Sequence, residues 1–432
     1  MNISLAKQII GKYIQYYRHK KKITQKQITT KIGSDYRQYA KSCRQECTRN
    51  NLCLEANSIC STKILKRIEN GEIFDLDCYY IGLVENLGFH FLLNDIIIKD
   101  TQQAESLLAD FIIHMSISSY EKLSSFIEYL EKSYPNIFFF SDLFDLYKNI
   151  MCYYYEKKLP TNINEDFYDF LFEYADESTK NLLVIYSYES LLFPKRNTYF
   201  EEIISNHQSE PLFFNSYIIS LSQNEASSIS MENINTFYKK NADHFITCNF
   251  YYYYNYLAFI YLNDFHLNTA NIYIEKCLDI INNSLERLIP NLKLKMLSNY
   301  AVTLFFMNEF KKSCDIFIKL INENINILFS HNLIFLFYML EKENDNRLNE
   351  LLQIDFKACL NSKEMLSIFA YYKLKHSQSV MILSLMKDCS CFIVEKLSFL
   401  DKGSRAREII EEDLKIYTKK TKNADLLLQY IE

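Results

Sequence analysis

Apolar residues recur at helical spacing along most of this chain. Residues 5–22, LAKQIIGKYIQYYRHKKK, place five of them on one side of a helix: Ile9, Ile10, Tyr13, Ile14 and Tyr17. From about residue 95 onward the same spacing predicts one helix after another, interrupted at prolines and at short Asn, Ser and Asp clusters. The pattern therefore predicts an all-α protein.

Glycine is scarce and unevenly placed. Five of the 6 glycines precede residue 89, and residues 90–402 contain none. Tight hairpins and phosphate-binding loops need glycine at positive φ, so this body disfavours a β or α/β fold. No stretch reaches eighteen apolar residues without a charge, and the first residues lack the apolar core of a signal peptide. We expect a cytoplasmic protein without a membrane partner, its 12 cysteines mostly reduced.

The charge differs sharply between the two parts of the chain. Residues 1–72 carry 15 Lys and Arg against 5 Asp and Glu, whereas the remainder carries 33 against 48. The overall net charge of −5 therefore conceals a basic head on an acidic body. This asymmetry indicates that the head meets a polyanion and that the body does not.

Capping signals divide the head into short helices. Thr24 is a predicted N-cap, and Ser61 can cap a helix that runs to about Asn70 and closes at Gly71. Residues 75–88 predict one further amphipathic helix.

The spacing of Arg18 to Gln25, together with CSTKILKRIENG at residues 60–71, resembles the Cro/C1-type (XRE) helix-turn-helix domain of bacterial and phage repressors. The resemblance covers roughly residues 8–89. It implies a buried ion pair between Arg18 and Glu69, and a recognition helix that enters the major groove of double-stranded DNA. The DNA-contacting residues that it implies are Gln25, Lys26, Thr62, Lys63, Lys66 and Arg67.

The head departs from that family in an insertion at about residues 33–57, between the second helix and the recognition helix. Four cysteines lie in or next to it, with the spacing C-x3-C-x5-C-x6-C: Cys43, Cys47, Cys53 and Cys60. This spacing lacks the close C-x2-C or C-x4-C pairs of most zinc sites, so we expect no metal. A packing or spacer role is favoured, and a metal site or an oxidation-sensitive thiol remains the alternative.

The body contains a degenerate repeat. YLAFIYLNDFHLNTANIYIEKCL and YAVTLFFMNEFKKSCDIFIKL match each other at an offset of 43 residues, the distance from Ala258 to Ala301. Their small and apolar positions resemble those of a tetratricopeptide repeat, which implies an α-solenoid with a concave groove. Asparagine can bond both the N–H and the C=O of an extended peptide, so we predict that Tyr252, Asn255 and Asn299 line a peptide-binding groove.

We therefore predict two domains, a helix-turn-helix domain at residues 1–90 and a tetratricopeptide-like, dimerising and ligand-sensing domain at residues 91–432. This combination resembles the RRNPP class of peptide-sensing regulators known from quorum sensing. The resemblance implies a homodimer that binds a DNA palindrome, and a short signalling peptide that changes the relation between the two heads of the dimer.

Three other functions stay open: a metal- or redox-sensing regulator that uses the four cysteines, a protein-binding scaffold, or a phosphatase without DNA binding. Because the chain has no HExxH, GxSxG or P-loop motif, we expect neither an enzyme nor a cofactor.

Overall fold

The protein is all-helical throughout the part of the chain that the structure describes. A computed structural model describes residues 1–30, 59–74, 77–156, 164–222, 227–285, 287–325, 328–354, 362–378 and 381–431. The described ranges contain no β-strand, and an isolated bridge pairs His90 with Ile137. The predicted all-α class is confirmed. The chain divides into two compact units, Met1–Ser220 and Leu221–Glu432.

The first unit contains eleven α-helices in its described residues, the last of which ends one residue beyond the unit. They are α1 (Ile3–Lys20), α2 (Gln25–Thr29), α3 (Thr62–Glu69), α4 (Asp77–Asn86), α5 (Asp95–His114), α6 (Ile117–Ser133), α7 (Phe140–Glu156), α8 (Glu165–Tyr174), α9 (Glu177–Ser190), α10 (Asn197–Asn206) and α11 (Phe214–Leu221). The second unit contains another eleven: α12 (Ser227–Asn241), α13 (Thr247–Asn263), α14 (Leu267–Asn283), α15 (Pro290–Phe306), α16 (Phe310–Asn324), α17 (Ser330–Lys342), α18 (Arg347–Gln353), α19 (Lys363–Lys375), α20 (Ile382–Lys396), α21 (Arg405–Thr421) and α22 (Asp425–Ile431).

The predicted caps of the head are present. Thr24 forms a capping box with Gln27, in which the Thr24 hydroxyl accepts from the Gln27 N–H and the Gln27 side chain accepts from the Thr24 N–H. The Ser61 hydroxyl accepts from the N–H of Ile64 and so starts α3. Gly71 lies just beyond α3 at φ +85°, a conformation that glycine adopts without strain.

Gly11 lets α1 and α3 approach closely. A Cβ atom at Gly11 would overlap the backbone carbonyl oxygen of Ile68 in α3. The apolar side of α1, including Ile10 and Ile14, is buried, as are Leu65 and Ile68 of α3. The hydrophobic pattern therefore pairs these two helices, and glycine at residue 11 sets how near they come.

An aromatic cluster fixes α1 against the rest of the first unit. The ring of Tyr13 is fully buried, and Phe138, Phe139, Phe167 and Phe170 surround it at centroid distances of 5.0–5.6 Å. Its hydroxyl donates to an Asp142 carboxylate oxygen at 2.6 Å. Burial raises the pKa of Tyr13 further above its usual range, so the phenol stays protonated and remains a donor. The head therefore packs on α7 and α8 within one compact unit.

Small residues allow the helices of the second unit to cross closely. Ala270 and Ala301 are fully buried, and the buried Ser313 donates its hydroxyl to the Ala301 carbonyl oxygen at 2.7 Å. These are positions that the sequence repeat singled out. Their burial supports paired helices there, and the assignment to the tetratricopeptide class stays a prediction.

The turns within three successive helix pairs of the second unit have the same backbone conformation. The turns after α13, α15 and α17 place Phe265, Asn308 and Asn344 at φ +58°, +61° and +50°. In each turn the next backbone N–H, at His266, Glu309 and Asp345, donates to a carbonyl five residues earlier at 2.9 Å. This is the hydrogen-bond pattern of a Schellman C-cap.

The compact units and the predicted domains divide the chain at different places. The first unit extends to Ser220, because α1 packs on helices that lie beyond residue 90. A functional boundary near residue 90 stays a prediction. Among the helices of the described ranges, none is both long and apolar enough to cross a membrane.

Replacing Gly11 with alanine should destabilise the first unit. The added methyl group must push α1 away from Ile68, at a cost of about 1–3 kcal/mol, which exceeds the roughly 1 kcal/mol gained in helix propensity. Thermal unfolding followed by circular dichroism measures the loss. Gln8→Ala, at an exposed residue of the same helix, is the matched control and should be neutral or stabilising. Equal stability of the two variants would contradict the close approach.

Candidate DNA-binding surface and ligand cavity

A buried ion pair joins α1 to α3. The Arg18 guanidinium donates from Nε to Glu69 Oε1 at 2.6 Å and from a terminal nitrogen to Oε2 at 3.1 Å. It also donates to the carbonyl oxygen of Ile23 at 3.0 Å. Both side chains are buried, so each charge depends on the other to offset its lost hydration. The structure thus brings together the two residues for which the family resemblance implied an ion pair.

Gln25 also belongs to this junction. Its amide nitrogen donates to Glu69 Oε2 at 2.8 Å, which ties the start of α2 to the end of α3. The resemblance implied a phosphate contact for Gln25. In the structure its amide satisfies the second oxygen of the buried carboxylate, and a contact of Gln25 with DNA stays a prediction.

One face of α3 is polar and exposed. Leu65, Ile68 and Glu69 face the interior, whereas Thr62, Lys63, Lys66 and Arg67 are exposed. Lys26 on α2 is exposed as well. Arg67 lies 5.0 Å from the Phe74 ring and forms an ion pair with Glu72 at 2.6 Å. The free lysines of this face are therefore Lys63 and Lys66, since neither makes an ion pair with a described residue.

The chain comes back to α2 before α3 begins. The Ile59 N–H donates to the Thr29 carbonyl oxygen at 2.8 Å. The Asn86 side-chain amide donates to the carbonyl oxygens of Ile28 and Thr30, both at 2.7 Å. α2 and α3 therefore pack together despite the residues inserted between them.

Of the four cysteines at the insertion, only Cys60 lies in the described residues; Cys43, Cys47 and Cys53 lie outside them. The Cys60 thiol is buried, and burial raises its pKa to about 12. A thiol with this pKa carries almost no thiolate at neutral pH, so Cys60 packs as a small apolar residue. Among the described residues no group of acidic, His and Cys side chains is arranged to hold a metal ion.

The second unit contains a cavity of about 570 Å³. Helices α13, α15, α17 and α21 contribute to its walls, and phenylalanine is its main apolar component. Its volume falls in the range of small-molecule and peptide sites, about 300–1,000 Å³. The phenylalanines that line it are Phe259, Phe265, Phe306, Phe329, Phe335 and Phe399.

The predicted peptide-binding residues occupy different environments. Asn299 lines the cavity, and its amide nitrogen donates to the Asn255 side-chain oxygen at 2.9 Å. Tyr252, by contrast, is buried and contacts the rings of Tyr251 and Tyr256. Tyr252 is 3% exposed and is not among the residues that line this cavity, so its ring belongs to the core.

Charged groups lie at the cavity opening. Asp401 and Glu364 are exposed and make no ion pair within the described residues. Arg405 is held by carboxylates, at 2.9 Å from Glu408 and 3.4 Å from Glu412. The lining therefore presents unpaired negative charge.

Several of these residues carried no sequence signal. In the sequence Gly11 is only one glycine within a helical pattern, and nothing there indicates its close approach to Ile68. The hydrogen bond between Tyr13 and Asp142 joins segments that are far apart in the chain. The cavity combines residues from 259 to 406, which no local pattern connects.

Comparisons with models of protein families, with curated proteins and with solved structures gave no significant match to this chain.

Replacing Arg18 with methionine should destabilise the first unit by about 3–5 kcal/mol, because Glu69 is left buried without its counter-charge. Urea unfolding of the full chain measures the loss. Arg67→Met removes an exposed ion pair of the same helix, α3, and should cost at most about 1 kcal/mol. If both variants lost the same stability, Arg18 would not hold the junction as the geometry indicates.

Replacing residues 31–58 with a short Gly/Ser linker of about four residues should leave the packing of α2 and α3 intact. The reason is that Thr29 and Ile59 are already joined by a backbone hydrogen bond. We expect a melting temperature within roughly 4 °C of the parent. A large loss of helical signal in far-UV circular dichroism would show that the inserted residues are needed to fold the head.

Proposed function

We propose that this protein is a dimeric, sequence-specific DNA-binding transcriptional regulator whose helical-repeat unit binds a short peptide. The single observation that carries the proposal is the junction of Arg18, Glu69 and Gln25. It fixes α3 so that Thr62, Lys63 and Lys66 face outward together. A short helix with this exposed face has the form that major-groove recognition requires.

Electrostatics supports the DNA-binding part of the proposal. The head carries 15 Lys and Arg against 5 Asp and Glu, whereas the remainder of the chain is net negative, and lysines that neutralise phosphates release condensed counterions. Thr62 and Lys63 lie in the first turn of α3, the part of a recognition helix that reaches base edges. Lys66 follows one turn later on the same face, where it can contact a base or a phosphate.

The second unit supports the ligand-controlled part. A cavity of about 570 Å³ with aromatic walls and a few polar groups has the character of a ligand site. A ligand in it can change DNA affinity only if it binds one arrangement of the dimer more tightly than another. No comparable observation favours an enzyme or a metal sensor among the described residues.

Selection of bound fragments from a pool of random double-stranded DNA, with the purified full chain under reducing conditions, tests the proposal. We expect enrichment of a palindromic site, because a symmetric dimer reads two half-sites. Lys63→Ala combined with Lys66→Ala should weaken binding to that site by about 1–3 kcal/mol for each lost base contact, at fixed salt.

Lys419→Ala with Lys420→Ala removes the same charge from an exposed stretch of α21 and is the matched control. It should leave DNA affinity within twofold of the parent. Unchanged affinity in the Lys63 and Lys66 variant, or no enriched site at all, would remove the basis for a recognition role of α3.

A further inference from the structure

Phe265 occupies a backbone conformation that suits a different residue. Its φ is +58°, in the left-handed region, where a bulky side chain is uncommon and asparagine or glycine is favoured. The two equivalent turns of the neighbouring helix pairs hold Asn308 and Asn344 at this place. The chain therefore uses asparagine in two of three matching turns and phenylalanine in the third.

Packing does not account for this phenylalanine. Two other apolar residues with positive φ, Met115 and Phe139, are buried, so core contacts repay their strained backbone. Phe265 is 66% exposed, and its ring touches Phe306 edge to face at a centroid distance of 5.4 Å. Leu191 is the other strongly exposed case, at 60%; it belongs to the first unit and is not among the residues that line the cavity.

Phe265 instead faces the cavity of the second unit, together with two other exposed rings. Phe259 and Phe329 also line it and are 40% and 63% exposed. Three exposed aromatic rings at one concavity are an apolar surface that a ligand can cover. Strain that persists at such a place is characteristic of binding sites.

The charges at the opening decide which ligand fits. Asp401 and Glu364 are unpaired, and their sequence neighbours Lys402 and Lys363 do not line the cavity. The one lining guanidinium, Arg405, is already neutralised by Glu408 and Glu412. Burial lowers the pKa of the lining residue His331, so its imidazole is neutral at pH 7 and adds no positive charge.

We propose that Phe265 is a ligand-binding residue, held in a strained turn to cover an apolar side chain of a short peptide, and that the peptide carries a cationic group beside Asp401 and Glu364. The proposal rests on the peptide-binding part of the proposed function and names the chemistry of that peptide. Apolar contact with three phenylalanines supplies affinity for the peptide, and the unpaired carboxylates favour a peptide that carries positive charge.

Two synthetic libraries of pentapeptides, with acetylated N-termini and amidated C-termini so that only the side chains carry charge, test this inference. Each fixes one phenylalanine and randomises three positions over Ala, Leu, Ile and Phe; the fifth position is lysine in one library and glutamate in the other. Affinity selection on the full chain, followed by titration of the selected peptides, should yield binders from the lysine library only. Asp401→Asn with Glu364→Gln should abolish that preference for lysine.

Phe265→Asn provides the sharper test, because it separates binding from folding. The variant should bind selected peptides roughly tenfold more weakly. It should also melt at the parent temperature or about 2–4 °C higher, because asparagine relieves the strained turn. Leu191→Asn is the matched control: it relieves the same backbone strain outside the cavity and should leave peptide affinity unchanged.

Equal selection from the two libraries, an absence of binders from both, or full peptide affinity in Phe265→Asn would each overturn the inference. These outcomes differ from failure of the proposed function. A peptide that binds at Phe265 without changing DNA affinity would uphold this site and refute the regulatory link. An absence of peptide binding together with intact DNA selection would refute this site and leave the DNA-binding part of the proposed function standing.

Discussion

The buried ion pair between Arg18 and Glu69 is the interaction on which the candidate DNA-binding surface depends. It joins three helices, because Gln25 of α2 donates to the same carboxylate that Arg18 of α1 holds at the end of α3. Either charge would be costly to bury alone, so the side chains of Arg18, Gln25 and Glu69 stabilise one another as a group. The close contact of Gly11 with Ile68 adds a steric limit, and the polar side of α3 is left facing outward.

The same helix that carries Arg18 also fixes the head to the rest of its unit. Tyr13 lies five residues before Arg18 and is enclosed by phenylalanines around α7 and α8, and its hydroxyl donates a hydrogen bond to Asp142. α1 therefore contacts both the aromatic cluster around α7 and α8 and the junction with α3.

The second unit repeats one type of helix crossing and one type of turn, and Phe265 is an exception among the turn residues. Ala270, Ala301 and Ser313 allow close helix crossings, and the three matching turns are capped by the same hydrogen bonds. Regular packing of this kind needs only small residues and a residue that tolerates positive φ. Phe265 tolerates positive φ poorly, yet it contributes an exposed ring to the cavity. This combination is the pattern expected where binding and stability compete.

Local rules were sufficient for the all-α class, for the caps at Thr24 and Ser61 and for the buried faces of α1 and α3, because hydrophobic period and capping act over a few residues. Pairing of Arg18 with Glu69 was reachable only through family resemblance. The environment of Tyr252, the approach at Gly11 and the cavity around Phe265 were decided by tertiary structure. Each depends on which distant helix packs alongside, and burial there is set by contacts that no sequence window contains.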